Sequence, residues 1–224
     1  DKWAATYAGS ITLGTGQFCT TPGLFLAIDS PELAQFASTL ASKIVEIEPM
    51  VMLGPNIKSA FSSLKAEVTS QGGVVVITSS VSVQGNFADQ TVAQVSGSEF
   101  LQNPKLHQEV FGPFSIIVRC KDEAELIQII EGLEGQLTGT IIAENEEISS
   151  ISNIVEALSY RVGRVIWNGV PTGVEVCPAM NHGGPYPASS DSRFTAVGLN
   201  SIKRWMRLIS YQSFPSELLP KELK

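Results

Sequence analysis

The chain divides into segments with a helical spacing of apolar residues and segments that are apolar throughout. Apolar positions three and four residues apart follow Ser30-Pro31-Glu32, an order typical of an N-cap, a first-turn proline and an acidic first turn. The same spacing predicts a helix over residues 56–68, ended by Gly72-Gly73. A further helix is predicted after residues 122–125, which resemble a capping box.

Short apolar and β-branched runs predict strands at residues 24–28, 74–78, 114–118, 140–143 and 164–167. Two more helices are predicted at residues 146–160 and 200–209. Strands that alternate with helices indicate βαβ units. The predicted fold class is therefore α/β, with a largely parallel sheet flanked by helices. A Gly-, Pro- and Ser-rich loop is expected from Gly169 to Ala196, where its length favours a functional role.

Composition narrows the kinds of partner that the protein can have. The 224 residues are 43% hydrophobic, which is enough for a substantial core. Lys and Arg number 15 against 22 Asp and Glu, giving a formal charge of -7. We therefore expect no attraction to nucleic acid or to an anionic membrane. No apolar run approaches the roughly 18 to 20 residues of a membrane helix. The low charged fraction of 17% suggests that some surface meets another domain or subunit.

The cysteines indicate a reducing compartment. Cys19, Cys120 and Cys177 are odd in number and form no CxxC pair, so neither a disulfide framework nor a metal site is expected. Residues 1–5 lack the basic and apolar regions of a signal peptide, and we expect a cytoplasmic protein. The missing initiator Met is consistent with a chain that has been trimmed or taken from a larger protein.

Cys19 is the candidate nucleophile on local grounds. It lies in the glycine-flanked segment 14–23, and such a turn can expose a thiol and present backbone N–H groups to an oxyanion. The alternative is a small buried hydrophobic residue, the commonest role of a free cysteine. Cys120 at the end of a strand and Cys177 in a loop are better explained by that structural role.

Two motifs resemble those of the aldehyde dehydrogenase superfamily. Residues 16–23, Gly-Gln-Phe-Cys-Thr-Thr-Pro-Gly, resemble its catalytic-cysteine motif, and residues 107–114 contain its Glu-x-Phe-Gly-Pro motif. They occur in the family's order and are followed by Asn168 and a Gly-Gly loop. The resemblance covers nearly the whole chain. It implies an aldehyde dehydrogenase catalytic domain without its cofactor domain over residues 1–210, as a fragment of a larger enzyme, and we expect residues 211–224 to form an extended C-terminal arm.

The resemblance also implies roles for individual residues. Cys19 would attack the aldehyde, hydride would pass to the nicotinamide of NAD or NADP, and water would hydrolyse the thioester. Glu109 would bind the hydroxyls of the nicotinamide ribose, and Phe111 would lie beside the nicotinamide. His182 would line the aldehyde entrance. Without the motif, Glu109 would be read as a solvated edge residue and His182 as a solvated loop residue.

The variants of these motifs suggest a branch of the family. Gln17-Phe18-Cys19-Thr20 and the loop 181–188 are similar to α-ketoglutaric semialdehyde (2,5-dioxovalerate) dehydrogenases and to bacterial NADP-linked fatty aldehyde dehydrogenases. A small semialdehyde is the expected substrate, because the loop and its continuation to Arg193 are polar. That arginine could bind a substrate carboxylate, although a surface ion pair with Asp191 is the simpler expectation.

The family's general base, oxyanion-hole Asn and cofactor domain lie upstream of the cysteine, and Cys19 has only 18 residues before it. We therefore expect this chain alone to be inactive. The resemblance implies that the parent protein is an enzyme, and we expect it to be a homo-oligomer. Two other classes stay open at this point. The chain could be a non-catalytic module that packs on a partner. It could also be a Cys-His hydrolase, which requires His107 or His182 to meet Cys19.

Overall fold

The computed structural model describes residues 2–171 and 173–224. The helices within those residues are α1 (Lys2–Thr12), α2 (Pro31–Val45), α3 (Pro55–Thr69), α4 (Gly97–Gln102), α5 (Glu123–Gly132) and α6 (Ser152–Ser159). The strands are β1 (Leu24–Ile28), β2 (Met50–Val51), β3 (Val75–Val76), β4 (Phe87–Ala88), β5 (Thr91–Ser96), β6 (Phe114–Cys120), β7 (Gln136–Ile141) and β8 (Val162–Trp167). No helix within the described ranges is long and apolar enough to cross a membrane.

A four-stranded sheet with the order β1-β6-β5-β3 forms the centre of the fold. β1, β6 and β5 are parallel, and the short β3 adds an antiparallel edge. β7 and β8 form a second, parallel pair, while β2 and β4 pair antiparallel. The predicted α/β class, with a largely parallel sheet flanked by helices, is confirmed.

Side chains of β6 alternate between two apolar cores. Ile116 and Val118 pack into a cluster with residues of α3, α4 and α5. Ile117, which points to the other face, packs with residues of α1 and α2. A parallel strand covered on both faces needs apolar residues at successive positions, which accounts for the continuous run that the sequence shows there.

The helix caps follow the sequence closely. The hydroxyl of Ser30 accepts a hydrogen bond from the Leu33 N–H at 3.1 Å, and the carboxylate of Asp122 accepts one from the Glu125 N–H at 2.8 Å. Glu125 in turn accepts from the N–H of Lys121, at 2.7 Å, rather than from that of its cap residue. The motif therefore works as an N-cap with a reach-back bond one residue earlier than in a standard capping box.

Several predicted elements differ from the structure. The strand predicted at 74–78 is reduced to β3, and β5 was not anticipated. The helix predicted at 146–160 is α6, preceded by a separate 3-10 turn at Asn145–Glu147. The helix predicted at 200–209 is a 3-10 segment, Leu199–Trp205. Its apolar residues Ile202 and Trp205 are exposed, and a short helix without a packing surface is only marginally stable.

The last part of the chain lies on the surface. Residues 206–224 are exposed apart from the half-buried Leu219, and they contain two 3-10 turns, Ser216–Leu218 and Lys221–Leu223. A domain boundary at residue 210 stays a prediction.

Candidate functional site

Cys19 lies on a tight turn between α1 and β1. Three consecutive residues before it have positive φ: Gly14 at 56°, Thr15 at 60° and Gly16 at 64°. Glycine suits this left-handed backbone because it has no Cβ to meet the neighbouring carbonyl. Thr15 is held there by a hydrogen bond of 3.2 Å from its hydroxyl to the Val51 carbonyl. The chain reverses direction at this point and leaves Cys19 exposed.

Polar contacts fix this turn on one side to the segment around β2. The side-chain oxygen of Gln17 accepts a hydrogen bond from the Leu53 N–H at 2.8 Å, and its amide nitrogen donates to the Gly14 carbonyl at 2.9 Å. After the cysteine, the Thr21 N–H donates to the Phe18 carbonyl at 3.2 Å, which closes a turn around Cys19. The loop that carries the thiol is therefore held in place by hydrogen bonds on both sides of Cys19.

The Glu-x-Phe-Gly-Pro motif and the start of β6, which follows it, support the other side of the turn. The Ser115 hydroxyl donates to the Pro22 carbonyl at 2.5 Å, and the Ile116 N–H donates to the Gly23 carbonyl at 3.0 Å. Gly16 lies so close to the backbone of Gly112 and Pro113 that a Cβ on it would overlap their atoms. Two motifs 96 residues apart, counted from Gly16 to Gly112, are thus in backbone contact.

Within this motif, exposure alternates from residue to residue. Glu109 is exposed and Phe111 is 36% exposed, whereas Val110 and Gly112 are buried. The alternation leaves a carboxylate and an aromatic ring accessible on a segment whose glycine is locked against the cysteine turn. A carboxylate that can accept two hydrogen bonds and an open ring face suit a ribose and a flat heterocycle.

The histidine that begins the segment 107–114 is engaged in the core. The His107 ring stacks on Phe100 with centroids 4.3 Å apart, and its Nε2 lies 2.8 Å from the Phe100 carbonyl. This contact anchors the segment that leads to Glu109 on the core. His107 therefore has a packing role in the described structure.

His182 lies in the Gly-, Pro- and Ser-rich loop from Gly169 to Ala196, called the late loop below, which packs on the β7–β8 pair. Its N–H donates to the Thr195 hydroxyl at 2.8 Å, and its carbonyl accepts from the Ala196 N–H at 2.8 Å. The neighbouring Asn181 side chain donates to the Gly163 carbonyl in β8 at 2.7 Å. The His182 side chain is half-buried, and none of the hydrogen bonds described for it reaches the Cys19 turn.

Arg193 forms the ion pair that was the simpler expectation. Its guanidinium contacts the Asp191 carboxylate with Nε to Oδ1 at 2.9 Å and a terminal nitrogen to Oδ2 at 2.6 Å. These bonds lower the pKa of Asp191 to about 2. The positive charge of this loop is therefore already neutralised within the loop itself.

Asn168 and Tyr7 connect the late loop to the helix before the cysteine. Asn168, at φ 46°, accepts from the Ala143 N–H at 3.0 Å and donates to its carbonyl at 2.8 Å, joining the ends of β7 and β8. The Tyr7 hydroxyl donates to the Gly169 carbonyl at 3.0 Å, and its ring packs edge-on against Phe25 of β1 at 4.9 Å. Burial raises the pKa of Tyr7. Sequence reasoning missed this tyrosine, although it lies at helical spacing between Ala4 and Ile11 on the buried face of α1.

The three cysteines differ in environment. Cys19 is exposed, Cys177 is half-buried and Cys120 is fully buried. Burial, followed by the nearby charge of Glu125, raises the pKa of the Cys120 thiol to about 12. Within residues 2–171 and 173–224, no three His, Cys, Asp or Glu side chains are grouped to hold a metal ion.

Comparison with known proteins gives consistent matches. The model of the aldehyde dehydrogenase family matches residues 1–205. Alpha-ketoglutaric semialdehyde dehydrogenase 2 of Azospirillum brasilense is 40% identical over 225 residues, covering 100% of this chain and 43% of that protein. Alpha-ketoglutaric semialdehyde dehydrogenase of Acinetobacter baylyi is 41% identical over 226 residues, with the same two coverages.

A solved structure shares the fold. The succinic semialdehyde dehydrogenase of Streptococcus pyogenes, in complex with NADP+, matches with a TM-score of 0.65 and 21% identity, covering 82% of this chain and 40% of that one. The chain spans less than half the length of the curated relatives that it matches.

Proposed function

Because the chain belongs to the aldehyde dehydrogenase family, whose model it matches over residues 1–205, we propose that the whole protein oxidises an aldehyde to a carboxylic acid with NAD or NADP. In this proposal, Cys19 is the nucleophile. The observation that carries it is the contact of Gly16 with Gly112 and Pro113, because it joins an exposed thiol to the Glu109–Phe111 segment.

The thiolate of Cys19 attacks the carbonyl carbon of the aldehyde and forms a thiohemiacetal. Bound NAD or NADP would supply the acceptor for the hydride that leaves this carbon. The resulting Cys19 thioester is hydrolysed by water, which releases the acid and returns the thiol. Cys120 is unsuited to this role, because its buried thiol, with a pKa of about 12, is not a thiolate near neutral pH.

Glu109 and Phe111 are the proposed cofactor contacts. The carboxylate of Glu109 would accept hydrogen bonds from the two ribose hydroxyls, and the ring of Phe111 would border the nicotinamide. Both side chains are accessible, which supports their assignment as cofactor contacts. The buried Gly112 gives them a fixed base, which supports orientation of the hydride acceptor toward Cys19.

Glu109→Gln in the full-length protein tests the cofactor contact. We expect kcat/KM for NAD(P) to fall about 10- to 100-fold, the order of one charge-assisted hydrogen bond, while alkylation of Cys19 keeps its rate. Glu156→Gln is the matched control, because it removes an exposed carboxylate on α6. Equal kinetics for the two variants would contradict the assignment of Glu109.

The proposed substrate is a short semialdehyde such as α-ketoglutaric semialdehyde. Support comes from the names of the two relatives at 40% and 41% identity and from the polar late loop. His182 is proposed to line the aldehyde entrance. The internal pairing of Arg193 with Asp191 weakens the expectation that this arginine binds a substrate carboxylate.

A substrate panel separates this proposal from the fatty aldehyde alternative. For the full-length protein, kcat/KM for 2,5-dioxovalerate should exceed that for decanal by roughly 10- to 1000-fold, the range of charge-assisted discrimination. A decanal value equal to or above that of dioxovalerate would favour the fatty aldehyde reading. His182→Ala should reduce the preference without changing the rate of Cys19 alkylation.

The other classes have less support. A Cys-His hydrolase needs an imidazole beside Cys19, yet His107 stacks on Phe100 and His182 bonds through its backbone to the loop on β8. No observation specifically favours a non-catalytic module. Assembly into a homo-oligomer stays a prediction.

A further inference from the structure

Phe61 is a buried aromatic residue that lies directly beneath the Glu-x-Phe-Gly-Pro motif. It is 1% exposed on the inner face of α3. A Cβ placed on Gly112 would run into three carbons along one edge of the Phe61 ring. The ring therefore occupies the space that a side chain at residue 112 would fill, and the motif backbone rests on it.

The ring itself is held in place by charged neighbours. Lys58 and Lys65 lie one turn before and one turn after Phe61 on α3, with their Nζ atoms 5.5 and 5.2 Å from the ring centroid. Lys65 also forms a half-buried ion pair of 2.6 Å with Asp89. Two residues after Asp89, the Thr91 N–H donates to the Pro113 carbonyl at 2.9 Å. The helix is thus tied to the motif both through the ring and through β5.

Gly112 is consequently packed between two groups. The Phe61 ring meets it from the side of α3, and Gly16 meets its carbonyl from the side of the cysteine turn. Protein interiors are packed densely enough to transmit displacements of this kind. A change in the volume of residue 61 is therefore expected to move the backbone that carries Phe111 and supports Cys19.

We propose that Phe61 is a positioning residue for the reaction: its ring sets the location of the Gly112–Pro113 backbone and so fixes the cofactor segment relative to the nucleophile turn. The inference rests on the proposed function. Phe61 acts through Gly112 and is buried away from substrate and cofactor. Displacements of about 1 Å in such a support lower rates by as much as about 100-fold.

The test uses the full-length protein with Phe61→Leu and the control Val68→Ala. Val68 lies on the same helix, in the same core cluster, and is 2% exposed. Phe61→Leu should raise KM for NAD(P) at least about fivefold and lower kcat at least about tenfold, at a temperature where both variants are folded. Val68→Ala, with a comparable loss of stability, should change either parameter less than about twofold.

A conservative variant separates positioning from general stability. Phe61→Tyr keeps the ring edge that meets Gly112, so at a temperature where it is folded it should retain both parameters within about twofold, even though burying its hydroxyl lowers the stability of the protein. If Phe61→Leu does not fold, Phe61→Met is judged by the same thresholds. Kinetics of the Leu or Met variant that match those of Val68→Ala would overturn the inference. If the wild-type full-length protein does not reduce NAD(P) with an aldehyde, the proposed function fails; if it does and Glu109→Gln behaves as expected, only the role of Phe61 is refuted.

Discussion

Replacing Gly16 with Ala perturbs the contact on which the proposed site depends. The residue has φ 64°, and a Cβ there would overlap Gly112 and Pro113. The left-handed backbone costs about 1–2 kcal/mol for a residue with a Cβ, and overpacking costs about 1–3 kcal/mol more. The lower chain entropy of unfolded alanine offsets about 0.4–1 kcal/mol. We therefore expect Gly16→Ala to lower the free energy of unfolding by about 1–5 kcal/mol.

Urea unfolding followed by tryptophan fluorescence measures this loss, with Gly9→Ala as the matched control. Gly9 lies in α1, and a Cβ there meets nothing within 4 Å. Alanine at this helical position should stabilise the protein by about 0.5–1 kcal/mol. The same substitution therefore has opposite signs at two sites seven residues apart.

The reactivity of Cys19 gives a second readout. Because Gly16→Ala displaces the turn, alkylation of Cys19 should change rate, whereas Gly9→Ala should leave it unchanged. A Gly16→Ala protein as stable as the wild type, with normal Cys19 reactivity, would refute the close contact between the two motifs.

Three further outcomes are expected. The folded-state pKa of Cys120 is about 12, above its usual value of 9, so between these values the unfolded chain loses the thiol proton more readily than the folded one. The free energy of unfolding should therefore be unaffected by this group below pH 9 and should fall as the pH rises toward 12. Cys120→Ala should flatten this decline in urea titrations. Asn168→Ala should lower the free energy of unfolding by about 1–3 kcal/mol, because it removes the hydrogen bonds to Ala143. Asn168→Gly removes the same bonds but should cost less, because glycine readily adopts a φ of 46°. Thermal unfolding of the two variants measures the difference. The 224-residue chain alone, which contains no Gly-x-Gly-x-x-Gly motif, should show no NAD(P) reduction with an aldehyde in an absorbance assay; measurable turnover would contradict this.

The sequence predicts the starts of helices well where interactions between residues close in the chain determine them. Ser30 and Asp122 cap the helices that they were expected to cap, since capping involves atoms within three residues. β5 was missed because Gln94 and Ser96 interrupt its apolar run, and its strand character comes from pairing with β6. Residues 200–209 carry helical spacing but have no surface to pack against.

The candidate site was predictable in its parts and not in its assembly. The two motifs name Cys19 and Glu109, but the contact that joins them is a tertiary one between glycines. In the sequence, Phe61 is one apolar position of an amphipathic helix, and nothing local indicates that its ring meets Gly112. Such contacts depend on the order of strands in the sheet, which residue spacing does not encode.

The central claim, that Cys19 carries the acyl group, is tested most directly by trapping the thioester. The full-length protein is mixed with NAD(P)+ and 2,5-dioxovalerate, quenched in acid during turnover, digested and examined by mass spectrometry. The account predicts an acyl adduct on the peptide containing Cys19, none on the Cys120 or Cys177 peptides, and neither adduct nor turnover in Cys19→Ser. Turnover by Cys19→Ser at the wild-type rate, or an adduct on another cysteine, would contradict it.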